Sequence, residues 1–406
     1  MRHLLACQLL CLLFAWTVST GEGAAPKSFE VGPPASWVNI ADVPTAGSPK
    51  EHASGLDFLL LDQQVRIASG DTYLRRTYQI VSDSGRQNNA QVSLSFDPSY
   101  QTLKVHHLKL LRGAETIDKL DVSRFQILQQ ERDLDRQLYN GTLSAFIILE
   151  DVRIGDVIDV AYTLHGRNPV FGDHFIDTSG LGWAVPVRDF RYRLVIPAER
   201  NLQTRIHGSA TPQVSARELD TGEKEMLWKN SHLPTIHPEN SVPADYVLYP
   251  FLDVSDFATW KDVVDWARPL YGNDESATPL IDALVATLRE SGSTQEALAL
   301  AALTFVQKEI RYLGMEMGAG SHRPSPPEEV LRRRFGDCKD KARLLATLMT
   351  RLHLRAAPAL VHSSSGNLVA ERLPSPYAFD HVVVAVTVQG KRLFPDATPS
   401  LQRGGP

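Results

Sequence analysis

Cys338 lies in the run Phe335-Gly336-Asp337-Cys338-Lys339-Asp340-Lys341-Ala342. Gly336 permits a tight turn and Asp337 is a good N-cap, after which Ala342, Leu345, Met349 and Leu352 recur at helical spacing. The spacing predicts a helix with an apolar face and with Cys338 in its first turn. There the unpaired backbone N–H groups and the positive end of the helix dipole favour a thiolate. The same residue also reads as a small buried hydrophobe at a helix start, and the local sequence does not separate the two.

The chemistry needs a base. His381 in Phe379-Asp380-His381 opens the apolar run Val382 to Val388, which fits a strand buried on both faces. Taken alone, a histidine at that position is more often structural than functional. If Gln389-Gly390 forms a two-residue hairpin loop, Val388 faces Lys391 and, in the same register, Asp396 faces Val383. Val383 shares a face with His381, so His381 and Asp396 become diagonal neighbours about 7 to 8 Å apart at the backbone. A bulged or longer loop would break this parity. Thiol, imidazole and carboxylate together are the parts of nucleophilic acyl transfer: a sulfur that attacks, a base that holds or delivers the proton, and an anion that orients the base. His322 in a proline-rich loop, His353 at the end of the cysteine helix and His362 at a strand end lack an acid in a comparable position.

The elements that must hold these residues come late in the chain. From about 58 to 232 the pattern is β, with strands expected at Thr72 to Ser82, Gln91 to Phe96, Leu103 to Leu111, Leu143 to Leu149, Val157 to Leu164, Arg191 to Ile196 and Lys224 to Trp228. Many short strands without long helices suggest a sandwich or barrel-like module. Pro234 to Pro250 is a proline-punctuated connector. Helical spacing follows over Thr259 to Leu270, Thr278 to Glu290 and Thr294 to Tyr312, and strands return at Ala356 to His362, His381 to Val388 and Arg392 to Phe394. The expected fold class is therefore two-domain: an N-terminal all-β sandwich-like domain over 55–235, then an α+β core over 255–406. Residues 26–54, rich in Pro, Gly, Ser and Ala, read as an extended arm.

Residues 1–25 read as a secretory signal: Arg2 as the charged start, an apolar stretch from Leu4 to Val18, then small residues. The expected location is periplasmic or secreted, with no membrane span in the mature chain because the apolar stretch falls short of the ~20 residues a bilayer requires. Cys7 and Cys11 fall inside that signal, so Cys338 is the one cysteine left after cleavage and has no intramolecular disulfide partner. The formal charge of -5, from 42 basic and 47 acidic residues, comes without a long basic stripe, which argues against nucleic acid as a partner. The longest basic run, Arg332 to Arg334, reads as a solvated helix face.

Residues from about Trp260 to Thr398 resemble the bacterial transglutaminase-like core. Its nucleophile motif is similar to Gly336-Asp337-Cys338-Lys339-Asp340-Lys341-Ala342, its histidine motif to Phe379-Asp380-His381 and its acid motif to Pro395-Asp396-Ala397-Thr398. The resemblance implies a papain/transglutaminase-like fold, with Cys338 as nucleophile, His381 as general base and acid, and Asp396 as its orienting partner. Residues from about 55 to 230 look like the β-rich domain of unknown function that often precedes this core in exported bacterial proteins. The backbone N–H of Cys338 is the default oxyanion donor, with Tyr312 as a second. The implied activity is thiol-dependent acyl transfer on glutamine or peptide amides through a cysteinyl thioester. A cysteine peptidase or amidase with water as acceptor, and a catalytically silent envelope-binding module, stand beside it. A protein or peptide substrate is expected, an envelope protein among the candidates; no cofactor and no metal is required.

Overall fold

The computed structural model describes residues 29–49, 54–129, 131, 138–237, 241–243, 246–272 and 278–400. The expected signal, 1–25, lies outside them. Among the described residues the regular elements up to Ser255 are mostly strands, with one short helix at Asp83–Asn89, and from Trp260 the chain is α+β.

A nine-stranded mixed sheet dominates the first portion, and two three-stranded sheets accompany it. The sheet is laid down by the long strands Leu56–Arg66, Asp71–Ile80, Thr102–Arg112, Val157–His165, Val187–Ile196 and Lys224–Leu233. Side chains alternate between faces, and the two faces differ in character. One is apolar. Leu103, Val105, Ile158 and Val160 pack with Leu94, Phe96 and Ala145 of one small sheet; Tyr192, Leu194 and Trp228 pack with Leu252 and Val254 of the other. The other face carries Asp62, Gln64, Arg75, Thr77, Gln79, Asp159, Arg191, Arg193 and Glu225, all buried.

Buried charge is tolerated only when paired and hydrogen-bonded. Arg75 forks onto Asp159 at 2.9 and 2.8 Å, and Arg193 meets Glu225 at 2.5 Å. Several of the remaining donors reach the arm, whose backbone lies over this face. Trp37 C=O accepts from Arg193 at 2.9 Å, Asn39 C=O from Gln64 at 2.7 Å, Ala41 C=O from Arg75 at 2.9 Å and Gly47 C=O from Gln79 at 3.1 Å. The arm is therefore a structural cover, anchored at one end by the strand Phe29–Val31, which pairs in parallel with Leu103 to Val105.

In the second portion, threonines cap three helices: Thr259 before Trp260–Tyr271, Thr278 before Pro279–Arg289 and Thr294 before Gln295–Glu309. The last of these stops three residues short of the expected Tyr312. Arg311–Tyr312 instead pairs in parallel with Phe335–Gly336, so that the backbone N–H groups there bond to another strand rather than to the preceding helical turn. The helix Cys338–Arg351 packs on a three-stranded sheet made from Arg355–Val361, His381–Val388 and Lys391–Leu393. Leu344, Leu345 and Leu348 meet Val382, Val384 and Val386 in the core between them.

The strand Phe251–Ser255, within the expected boundary zone, pairs with Ile176–Gly180 and Gln203–His207 and so is built into the β-rich portion. Contacts tie the portions together. Arg372 forks onto Asp253 at 2.7 and 2.7 Å, and Asn168 Nδ2 donates to Gly318 C=O at 2.9 Å. Among the described residues no helix is long and apolar enough to cross a membrane.

Candidate active site

Cys338 is the first residue of its helix. Asp337, in extended conformation, caps it by accepting the N–H of Asp340 at 3.1 Å. Gly336 is required by close approach: a Cβ there would lie 2.7 Å from the Cβ of Asp340. The charged residues of the motif are buried rather than solvated, and each fixes a different neighbour. Lys339 pairs with Asp337, with Glu316 at 3.9 Å. Asp340 accepts from Ser325 N–H at 2.7 Å and from Arg333 at 2.5 Å. Lys341 donates to Ile310 C=O at 2.5 Å, and Arg343 to Pro324 C=O at 3.0 Å. Arg333 is thus a brace for the cysteine turn rather than part of a solvated face; only Arg332 and Arg334 of that run are exposed.

The hairpin has the expected register. Gln389 and Gly390 both have positive φ, 47° and 78°, which gives the two-residue turn a twist that matches its strands. Val388 faces Lys391, and the register continues past the paired strand, since Val384 N–H donates to Pro395 C=O at 3.1 Å. Asp396 is thereby delivered beside the histidine, and His381 Nε2 meets Asp396 Oδ2 at 2.9 Å. Asp396 also accepts from the N–H and hydroxyl of Thr398 at 2.8 and 2.7 Å. Burial opposes the carboxylate charge, but the bonds from His381 and Thr398 outweigh it, and its pKa is lowered.

The same imidazole shares a cavity with the Cys338 side chain, close enough for the thiol to raise its pKa. The bond to Asp396, then the neighbouring Cys338, push His381 up to about 10 against the opposing effect of burial, so the ring is an imidazolium at neutral pH. The structure therefore brings Cys338, His381 and Asp396 together, with a hydrogen bond between the last two and the first two lining one cavity. Tyr312 lies near Cys338, and burial, ahead of the neighbouring thiol, holds its phenol well above the usual range. The pairing of Arg311–Tyr312 with Phe335–Gly336 puts it there.

Cys338 and His381 open into a cavity of about 240 Å³, also lined by Trp266, Tyr271, His322 and Phe379. His322, which the proline-rich loop gave no reason to place here, stacks edge-on against Phe171 at 5.0 Å and Trp266 at 5.6 Å. Burial, then the nearby Lys339 charge, drive it down to about 4, so it stays neutral. Its signal in the sequence was slight: one histidine in a loop, with the aromatic partners far away in the chain. His353 and His362 stay outside the cavity lining. Among the described residues no group of three or more His, Cys, Asp or Glu side chains is arranged to hold a metal ion.

Residues 68–237 match a family model described as a domain of unknown function with solved structure, DUF3857. No curated protein matches the chain. Among solved structures, a proposed protease from Parabacteroides distasonis ATCC 8503 is similar with a TM-score of 0.71 at 17% identity, over 86% of this chain and 68% of that one. The two share a fold. A proposed cysteine protease from Cytophaga hutchinsonii aligns at 11% identity over 55% of this chain and 75% of its own, with a TM-score of 0.25. The periplasmic domain of TgpA from Pseudomonas aeruginosa aligns at 13% identity over 72% and 86%, with a TM-score of 0.23. Neither of these last two scores is high enough to argue from.

Proposed function

We propose that this protein is a transglutaminase-like cysteine enzyme, carried by the region from about residue 255, that transfers an acyl group from a glutamine or peptide amide through a thioester on Cys338. The observation that carries this reading is the His381–Asp396 hydrogen bond at the mouth of the cavity that Cys338 also lines, with the imidazole pKa raised by both neighbours. On this reading the proton rests on His381 and the Cys338 sulfur attacks the carbonyl carbon as the anion. The C–S bond forms as the carbonyl π pair moves to oxygen, and on this reading the Tyr312 hydroxyl donates to it. Collapse breaks the C–N bond, and His381 passes its proton to the departing nitrogen, leaving ammonia or an amine and the thioester. An incoming amine or water then gives a proton to His381 as it attacks, and the thiolate leaves. Asp396 keeps the ring oriented throughout.

Water as the final acceptor is the second reading, supported by the name of the Parabacteroides distasonis protein whose fold this chain shares. Export through residues 1–25 would place either activity in the periplasm or outside the cell. The test is alkylation of Cys338 by iodoacetamide, followed by mass spectrometry, across pH 4 to 9. Rapid labelling down to pH 5 that is slowed at least ten-fold in His381→Ala supports the reading. A thiol inert in the folded protein, or a Cys338→Ala variant with full turnover on an identified substrate, overturns it.

A further inference from the structure

The cysteine cavity continues away from the chemistry. Through Tyr271, Leu360 and Phe379 it shares walls with an apolar cavity of about 560 Å³, lined on one side by Val263, Val264 and Ala267 of the helix Trp260–Tyr271. Through Tyr271, Gly272, Ala357 and Pro358 that space runs into a third, of about 460 Å³. The common floor of the second and third is the strand Arg355–Val361, which stands at the end of its sheet: among the described residues it pairs with His381–Val388 alone.

The register tells which of its backbone groups face the cleft. Val384 N–H points to Pro395 on the far side, so the odd-numbered residues of the histidine strand bond toward Arg355–Val361. Their partners are Arg355, Ala357, Ala359 and Val361. Ala356, Pro358 and Leu360 therefore turn their main-chain groups outward, and Pro358, which has no N–H, occupies a position where the ladder loses nothing. Among the described residues, three carbonyls and two N–H groups are left without a strand partner along the cleft floor. A free strand edge with a groove for alternate side chains is the arrangement that binds an extended peptide by strand addition.

Among the described residues, the charged side chains lining the second and third cavities are Arg268, Arg343 and Arg351, with no carboxylate. Their field favours acidic residues in the occupant beyond the apolar ones, even though each guanidinium is already engaged within the protein.

We infer that the substrate is an extended peptide segment that adds as a further strand to the edge Arg355–Val361, seats an apolar side chain against Val263, Val264 and Ala267, and so delivers its amide to Cys338. This rests on the proposed function but is tested apart from it. The probe is a fluorescein-labelled octapeptide of alternating leucine and threonine ending in two glutamates, titrated by anisotropy into the full-length Cys338→Ala protein. It should bind at least ten-fold more tightly than the version with serine for leucine, and the version ending in lysines should be several-fold weaker. Val264→Glu, at a position already 53% exposed and so harmless to folding, should abolish the leucine advantage. N-methylation of successive peptide amides should weaken binding at every second position only. Equal affinity for the leucine and serine peptides, loss without that alternation, or no binding would overturn the inference. Iodoacetamide labelling of the native thiol reads the other claim: an inert thiol with alternating peptide binding would remove the enzyme and keep the peptide site, while a reactive thiol without binding would do the reverse.

Discussion

Burial keeps the Tyr312 phenol protonated near Cys338, and on the proposed mechanism that proton is the donor to the oxyanion. If so, Tyr312→Phe lowers kcat by about 10²- to 10³-fold, the loss typical of one oxyanion donor, and leaves iodoacetamide labelling of Cys338 within a few-fold. Equal loss in both measurements would assign Tyr312 to positioning the thiol instead. His381 makes a second prediction. Its folded pKa is raised to about 10 from an ordinary 6.5, so the charged ring stabilises the fold fully below about pH 6.5, and this contribution fades as pH climbs through about 10. Urea midpoints should therefore fall more steeply between pH 7 and 10 for the native chain than for His381→Ala. Asp396 acts with the opposite sign: its pKa is lowered, so its contribution is complete above the ordinary carboxylate range and is lost on acidification. Asp396→Asn should flatten the acid limb of the same curve.

The turn that presents the sulfur is held by side chains that a sequence reading assigns to solvent. Its cap, its glycine and its apolar stripe were legible, as were the caps at Thr259, Thr278 and Thr294, because those signals act within one or two helical turns. The hairpin register was legible for the same reason: two residues of loop determine the parity of everything that follows. Less accessible was the strand Leu56–Arg66, where a bulge between Phe58 and Leu60 interrupts the alternation and Asp62 and Gln64 look like surface residues. Their burial depends on a backbone that comes from another stretch of chain, and no local pattern reports that. Arg333 and Asp340 met the same obstacle: each alone reads as exposed, and only their pairing makes the interior affordable to them. Two variants test the turn. Gly336→Ala forces a Cβ onto Asp340 and should cost about 1 to 3 kcal/mol in urea unfolding, with slower Cys338 alkylation. Asp337→Ala removes the cap and strips Lys339 of its near partner, leaving Glu316 at 3.9 Å, and should cost about 3 to 5 kcal/mol.

At the scale of the molecule, the long sheet is covered on both faces by different means, small sheets on one and the backbone of the arm from Trp37 to Gly47 on the other. Arg193 is the centre of the second arrangement, with Glu225, Gln64 and Trp37 C=O as its partners. Arg193→Ala should lower stability by about 3 to 5 kcal/mol and speed amide hydrogen exchange in the arm, whereas removal of a surface arginine such as Arg332 should change neither. The fork between Arg372 and Asp253 reaches further still. Arg372 lies on the stretch that leads into His381, while Asp253 belongs to a strand held between Ile176–Gly180 and Gln203–His207. The imidazole thus takes part of its bearing from an anchor outside its own sheet. Any chimera that replaces the leading sheets must supply a carboxylate at that berth, or the thiol will be left facing a partner that has drifted from its mooring.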